Sequence, residues 1–348
     1  MIRFTWLQFR TQAAVAFGAL AIVAVILAVT GPNLAHLYDT TVATCTVHND
    51  CPAATTAVTT SDSTLQILGK LLLLAVPGLI GMFWGAPLIA REFETGTFRL
   101  AWTQDITRTR WLAIKLGVAG LASVVLAGLL SLMVTWWSSP VDKARMNQWA
   151  VFGQRDITPI GYAAFAFALG VTAGMLIRRT LPAMAITLAV FAAVQIAMPL
   201  WIRPHLIPPV QTASPLRIAS LTETGVTGNG RLQVMAPVNI PGAWVYSNEI
   251  ITTAGHPASS EPATRPCTTG AAQACDAYIA RLHLRQAVTC QPASRYWAFQ
   301  WYETAIFLVL AIILAGFCFW WISRRHSDGV NIRRPRSSHK TLAPERST

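Results

Sequence analysis

Residues 71–90 read LLLLAVPGLIGMFWGAPLIA, and residues 91–111 read REFETGTFRLAWTQDITRTRW. The first stretch is twenty residues without a charge, and at about 1.5 Å per residue a helix of that length crosses a hydrocarbon core of roughly 30 Å. The second holds Arg91, Glu92, Glu94, Arg99, Asp105, Arg108 and Arg110, a density of charge that must stay in water or at the interface. An apolar span running straight into a long charged connection makes the bilayer the main solvent of this chain.

Five more stretches repeat the first pattern: Ala13–Val29, Leu116–Trp137, Ile160–Ile177, Leu181–Ile202 and Tyr302–Ile322. The whole chain of 348 residues is 53% hydrophobic and 12% charged, about half the charge of an average soluble domain. Lys70 and Glu303 fall at the outer margins of the second and sixth spans, where they can reach the interface. The fold class expected is an all-α membrane protein with six transmembrane helices.

The net charge of +12 would suggest nucleic acid as a partner in a soluble protein, but its distribution fits orientation in a membrane instead. Sixteen Lys and Arg fall in the N-terminus, the connection ending at Lys115, the Arg178-Arg179 turn and the tail from Arg324. Residues His36 to Ser63 carry none, and the next outer connection has only Lys143, Arg145 and Arg155. Positive residues are retained on the cytoplasmic side, so both termini are expected there, in a cell membrane whose lipids are partners and nucleic acid is not. A cleaved signal peptide is disfavoured, because the first apolar stretch has 17 residues against about 7–15 for such peptides. The organisation expected is a cytoplasmic segment 1–12, five spans within 13–202, an extracellular segment 203–300, a sixth span 301–322 and a basic cytoplasmic tail 323–348.

The extracellular segment is rich in Pro, Gly, Thr and Ser and reads as loops and short elements. One helix is expected over Asp276–Val288, where Tyr278, Ile279, Leu282, Leu284 and Val288 recur near the helical period. An exterior setting permits disulfides. Cys45 and Cys51 form the leading local pair; Cys267, Cys275 and Cys290 leave one thiol over, and Cys318 lies in the last span. A metal site built from Cys45, His48, Asp50 and Cys51 is the weaker reading, since this spacing does not supply a dependable fourth zinc ligand. Gly81-x-x-x-Gly85 and Gly170-x-x-x-Gly174 allow close helix approach, with packing inside the chain preferred over a dimer seam. Pro77, Pro87, Pro182 and Pro199 should kink or end helices. Tryptophans at span ends, among them Trp102, Trp111, Trp136, Trp137, Trp201, Trp297, Trp301, Trp320 and Trp321, read as interface anchors.

Catalytic signatures are missing. The sequence holds no phosphate loop ending in Gly-Lys-Ser/Thr, no Gly-x-Ser-x-Gly elbow and no His-Glu-x-x-His helix. No Asp or Glu is central in a span, and Gln66 and Gln195 do not titrate, so a proton relay has few carriers. Any transport must draw energy from elsewhere. Within 91–111, Gly96-Thr97 can break a helix, and Asp105 with Thr107 supplies caps for the next one. From the residues alone, a surface helix presenting charge to a cytoplasmic partner and a solvated positive loop fit equally.

Glu92-x-Glu94-x-Gly96-Thr97, followed by Thr103-Gln104-x-x-Thr107-Arg108 and Lys115, resembles the cytoplasmic signature of ABC-2 type transporter permeases. The stretches Gly161-Tyr-Ala-Ala-Phe-Ala-Phe-Ala-Leu-Gly170, Arg178-Arg179-Thr-Leu-Pro182-Ala-Met-Ala and Gln291-Pro-Ala-Ser-Arg295-Tyr-Trp297 are similar to its actinobacterial branch. The resemblance implies a type V exporter-like permease with a connecting helix before the first span, here 1–12, and a coupling helix in 91–110. It implies that Arg91, Glu92, Glu94, Gly96, Thr97 and Arg108 meet a separate ATP-binding subunit. No cofactor would sit on this chain, ATP and Mg being held by that partner. A second permease copy, or a related permease, would complete a pair that exports a hydrophobic or amphipathic drug, lipid or peptide by alternating access. The extracellular segment departs from the family in its length. A membrane-anchored extracellular sensor or binding protein without transport is the alternative from a different class.

Overall fold

The computed structural model describes residues 2–45, 51–61, 63–96, 107–145, 148–216, 223–226, 230–238, 240–260, 267 and 272–330. In chain order the helices are α1 (Ile2–Thr41), α2 (Cys51–Thr60), α3 (Ser63–Ile80), α4 (Ala86–Thr95), α5 (Arg108–Arg145), α6 (Thr158–Ile177), α7 (Thr180–Ala197), α8 (Arg203–Leu206), α9 (Ala272–Arg281) and α10 (Tyr296–Val330). Six helical rods among the described residues are long and apolar enough to cross a membrane: Phe9–Thr41, Ser63–Thr95, Arg108–Ala144, Thr158–Ile177, Thr180–Leu206 and Ala293–Arg324. The six expected spans are all present, most of them longer than their uncharged cores, because helix persists through the polar flanks. The segment expected over 1–12 as a connecting helix is helical in its described residues. Its described residues continue α1 without a break from Ile2, since neither Pro nor Gly interrupts residues 2–17.

Helix α6 is the centre of the bundle. It carries no charge and is apolar all round, the pattern of a helix surrounded by protein, and fifteen of its twenty residues are buried. It packs against α3, α4, α5, α7 and α10. By contrast α1 and α10 show much of their surface to the surroundings, with Val15 at 74% and Ile312 at 70% exposure.

The two small-residue motifs mesh with each other. A Cβ on Gly81 would lie 2.5 Å from the carbonyl oxygen of Ala166. A Cβ on Gly170 would run into the Gly81 carbonyl, and one on Gly174 into that of Ala86. The backbones of α6 and of the α3–α4 rod therefore touch, so both motifs are used inside the chain. At this contact the rod widens into a single π turn, Gly81–Gly85, closed by the Ala86 N–H donating to the Gly81 carbonyl. A second π turn, Met198–Ile202, is closed by the Arg203 N–H donating to Met198. In each, the residue after the closing amide is a proline, Pro87 or Pro204. Proline lacks an N–H and its ring clashes with the carbonyl four residues back, and widening the turn is one way to re-satisfy the backbone.

The segment between α8 and α10 is more ordered than its composition suggests. Strands β1 (Val210–Pro215), β4 (Trp244–Ile251) and β5 (Arg285–Gln291) form an antiparallel sheet in the order β1-β5-β4, while β2 (Glu223–Val226) pairs with β3 (Leu232–Met235). The helix expected over Asp276–Val288 is thus half wrong. Helix α9 ends at Arg281, His283 takes a left-handed φ of 44°, and the chain turns into β5. Val288 and Cys290, two apart, are buried in the sheet, a strand period that the preceding leucines masked. Leu232, Ile279 and Leu284 form the core of this β-containing lobe. Cys267 and Cys275 are joined by a disulfide, and Cys290 is the buried thiol left over. Trp111 and Trp137 are not interface anchors. Both are buried, and the Trp137 indole donates to Thr30 Oγ1 at 2.9 Å.

Candidate functional site

Helix α4 carries Arg91, Glu92, Phe93, Glu94 and Thr95 out of the bundle and stops at Gly96, whose φ of 72° and ψ of 4° are left-handed. Nothing would touch a Cβ there, so glycine is favoured by the backbone conformation and not by space. Arg91 is exposed, and Arg108 is half-buried at the start of α5. Helix α5 begins at Arg108, and the Thr107 carbonyl accepts from the Trp111 N–H at 3.1 Å. Thr97 and Asp105 lie outside the described residues.

The two acids are used within the chain. Glu92 pairs with Lys115 of α5, a lysine only 3% exposed, whose ammonium also lies 4.9 Å from the Trp111 ring centre. Glu94 reaches α7, where one carboxylate oxygen accepts from both the N–H of Thr180, at 3.2 Å, and its hydroxyl, at 2.6 Å. Between them, the Arg178 guanidinium stands 5.7 Å from the Phe93 ring. One turn of α4 is thereby tied to α5 and α7. Sequence reasoning selected these acids for a partner; the geometry gives each an intramolecular partner first.

Sequence reasoning missed the opposite end of α6. Glu303, expected to reach the interface, is fully buried, and Arg203 grips it through two hydrogen bonds of 2.9 Å, from Nε and Nη2. Tyr162 of α6 donates to the same carboxylate, and the Arg203 guanidinium lies 4.4 Å from the Phe152 ring centre. A buried pair of this kind is tolerated when its geometry is good and its remaining polar atoms are satisfied. Beside it, Gln300 donates to the Phe152 carbonyl at 2.9 Å and accepts from the Thr158 N–H at 3.1 Å. The Tyr296 hydroxyl donates to Asp156 at 2.5 Å, and Arg155 pairs with Asp142. Trp149, Phe152, Tyr296 and Phe299 pack around this set, and Trp244 of β4 packs against them. The available signal was opposite charges at the end of the fifth span and the start of the sixth.

Between α1, α3 with its π turn, and α5 lies an apolar cavity of about 630 Å³, lined by Val15, Ala19, Val76, Phe83, Trp84 and Leu126 among others. Its volume lies within the range of roughly 300–1,000 Å³ common to small-ligand sites. Cys45 is disulfide-bonded, which leaves no thiolate for a metal there; the side chain of Cys51, and His48 and Asp50, lie outside the described residues. Among the described residues no group of three His, Cys, Asp or Glu is placed to hold a metal.

No curated protein and no solved structure matches the chain. The model of the family described as ABC-2 membrane transporter related matches residues 17–203. That stretch is more than half of the chain and takes in most of the first span, the second, third and fourth, nearly all of the fifth, the 91–110 connection and the meshed glycine motifs. With six helices among the described residues long and apolar enough to cross a membrane, this multi-pass protein belongs to the ABC-2 membrane transporter related family.

Proposed function

We propose that this chain is the membrane-spanning subunit of an ATP-driven exporter, paired with a separate subunit that binds ATP and Mg. The end of α4 and the Arg178-Arg179 turn face the cytoplasm, as do both termini, and the β-containing lobe faces outward. The observation that carries the reading is the turn of α4 ending at Gly96. It stands at the end of a span and is joined side chain to side chain to α5 and α7, so a push delivered there reaches three spans at once. Arg91 is exposed on that turn, where a partner can reach it. A second permease copy, or a related permease, completes the translocation path, and ATP-driven approach of the partner subunits switches the pair between inward- and outward-open states. The apolar cavity beside α1 supports a hydrophobic or amphipathic substrate, whether drug, lipid or peptide.

The test is purification of the tagged chain from cells that also express candidate ATP-binding subunits. Co-elution at a fixed ratio, with ATP hydrolysis stimulated by substrate, is the expected result. The folded outer lobe, with a core and a disulfide of its own, favours the sensor as a second reading, and it gains if no ATPase co-elutes and ligand binding maps to that lobe alone. Orientation is tested by impermeant thiol labelling in intact cells: Ser259→Cys should react and Ser337→Cys should not.

A further inference from the structure

The connection from α6 to α7 is two residues long. Arg178 closes α6 in a left-handed conformation, with φ 57°, and donates its N–H to the Gly174 carbonyl at 3.0 Å. Arg179 is extended and takes the N-cap position of α7, where its side chain makes no capping bond. Arginine has no acceptor with which to cap a helix, so α7 begins without a cap from its own sequence. Glu94 supplies one from α4, taking both the N–H and the hydroxyl of Thr180 on one oxygen. Its negative charge also suits the positive end of the α7 dipole. Below this joint the small residues Ala86, Ala90, Ala173 and Ala183 bring α4, α6 and α7 together. Beyond it, α7 continues through the π turn and α8 as one helical rod from Thr180 to Leu206. That rod carries Arg203, the partner of Glu303, near its far end.

We propose that Glu94 is a positioning residue whose trans-cap on Thr180 passes movement of the α4 end into α7 and along it to the Arg203–Glu303 pair. The inference rests on the transporter reading and assigns Glu94 a role inside the chain. Its carboxylate acts as a hydrogen-bond acceptor for α7, and docking of the ATP-binding subunit falls to the exposed surface around it.

The distinguishing experiment uses the full chain purified with its ATP-binding subunit and three variants: Glu94→Ala, Glu94→Gln and Thr180→Val. Hydrogen exchange over residues 180–183 reads the joint directly and needs no partner. Loss of a cap should speed exchange there by about tenfold in Glu94→Ala. Glu94→Gln should stay close to wild type, because the amide oxygen accepts the same two bonds, and Thr180→Val, which keeps only the N–H, should fall between. Substrate stimulation of ATP hydrolysis should follow the same order while the ATPase still co-purifies with every variant. The proposal is overturned if Glu94→Gln is as defective as Glu94→Ala and both lose the ATPase, because charge toward the partner is then the role. It is equally overturned if exchange at 180–183, or stimulation, is unchanged in Glu94→Ala. If even the wild type retains no ATPase, the transporter reading and the transmission role fall together; a Glu94→Ala exchange difference then marks a structural cap only.

Discussion

At each end of α6 a carboxylate joins two of the surrounding helical elements, and the two joints differ in how much water reaches them. At the Thr158 end, Glu303 is fully buried and shares its oxygens between Arg203 and Tyr162 under a roof of aromatic rings. At the Ile177 end, about 30 Å away along the helix, Glu94 is exposed and holds α7 through Thr180. A carboxylate in water can exchange one hydrogen-bond partner for another at little cost, whereas a buried one cannot release its partner without stranding a charge. The dry end therefore resists rearrangement and is the fixed end of α7, and the wet end, where Glu94 holds Thr180, is the end at which α7 can be moved together with α4.

The largest effect should come from the dry end. Glu303→Leu leaves Arg203 buried without its partner and should cost about 3–5 kcal/mol, read as a large fall in thermal midpoint in detergent. Combining it with Arg203→Met should restore much of that loss, because an apolar pair of similar volume needs no counter-charge. If the double variant is no better than the single, the pair is not what holds this end together.

Glu92 and Lys115 sharpen the comparison, because the pair sits at the wet end with only one dry member. The lysine side chain is 4% exposed and the glutamate 15%. Glu92→Ala strands the drier charge and should cost roughly 1–3 kcal/mol. Lys115→Met leaves a carboxylate that water can reach and should cost less. Equal losses in the two variants would mean that burial does not set the cost here.

Backbone contact along the middle of α6 gives a comparable or smaller effect. Gly170→Ala would drive a methyl group into the Gly81 carbonyl, and overpacking of this kind costs about 1–3 kcal/mol. Gly117→Ala on α5 meets nothing within 4 Å and should stabilise by up to about 1 kcal/mol through helix propensity. The same chemical change with opposite signs, measured by thermal unfolding, separates the meshed seam from an open helix face.

These positions were unequally legible in the sequence. Runs of apolar residues longer than a soluble helix needs announced the spans, and Gly96 announced a helix end because few other residues accept its backbone angles. The meshing of Gly81 and Gly85 with Gly170 and Gly174 could be anticipated as close packing, but not which partner each would take. Glu92 and Lys115 are 23 residues apart on successive helices; both belong to the stretch that carries the resemblance, which does not pair them. Arg203 and Glu303 are 100 residues apart, separated in the chain by the whole β-containing lobe, and no local pattern marks such a pair. Strand β5 was hidden because Leu282 and Leu284, which belong to the turn before it, complete a helical spacing with Tyr278 and Ile279. The break at His283 is a backbone event that hydrophobic period alone does not report.

The smallest effect on the bundle is expected from the disulfide of the β-containing lobe. Cys267 and Cys275 are eight residues apart, and a loop so short gains only about 2–3 kcal/mol from the restricted unfolded chain. That gain is confined to a core of Leu232, Ala258, Ile279 and Leu284, which forms a cluster separate from the aromatic group around Trp149. Contact between lobe and bundle runs instead through Trp244, through Gln291 donating to the Ile207 carbonyl at 2.7 Å, and through Arg295 donating to that of Pro208 at 2.8 Å. Cys267→Ser with Cys275→Ser should therefore raise hydrogen exchange in α9 and leave the thermal midpoint of the six-helix bundle within about 2 °C of wild type, a shift that corresponds to less than 1 kcal/mol. A large fall in that midpoint would mean that the lobe braces the dry end from outside, and the stability assigned to Arg203 and Glu303 would have to be shared with it.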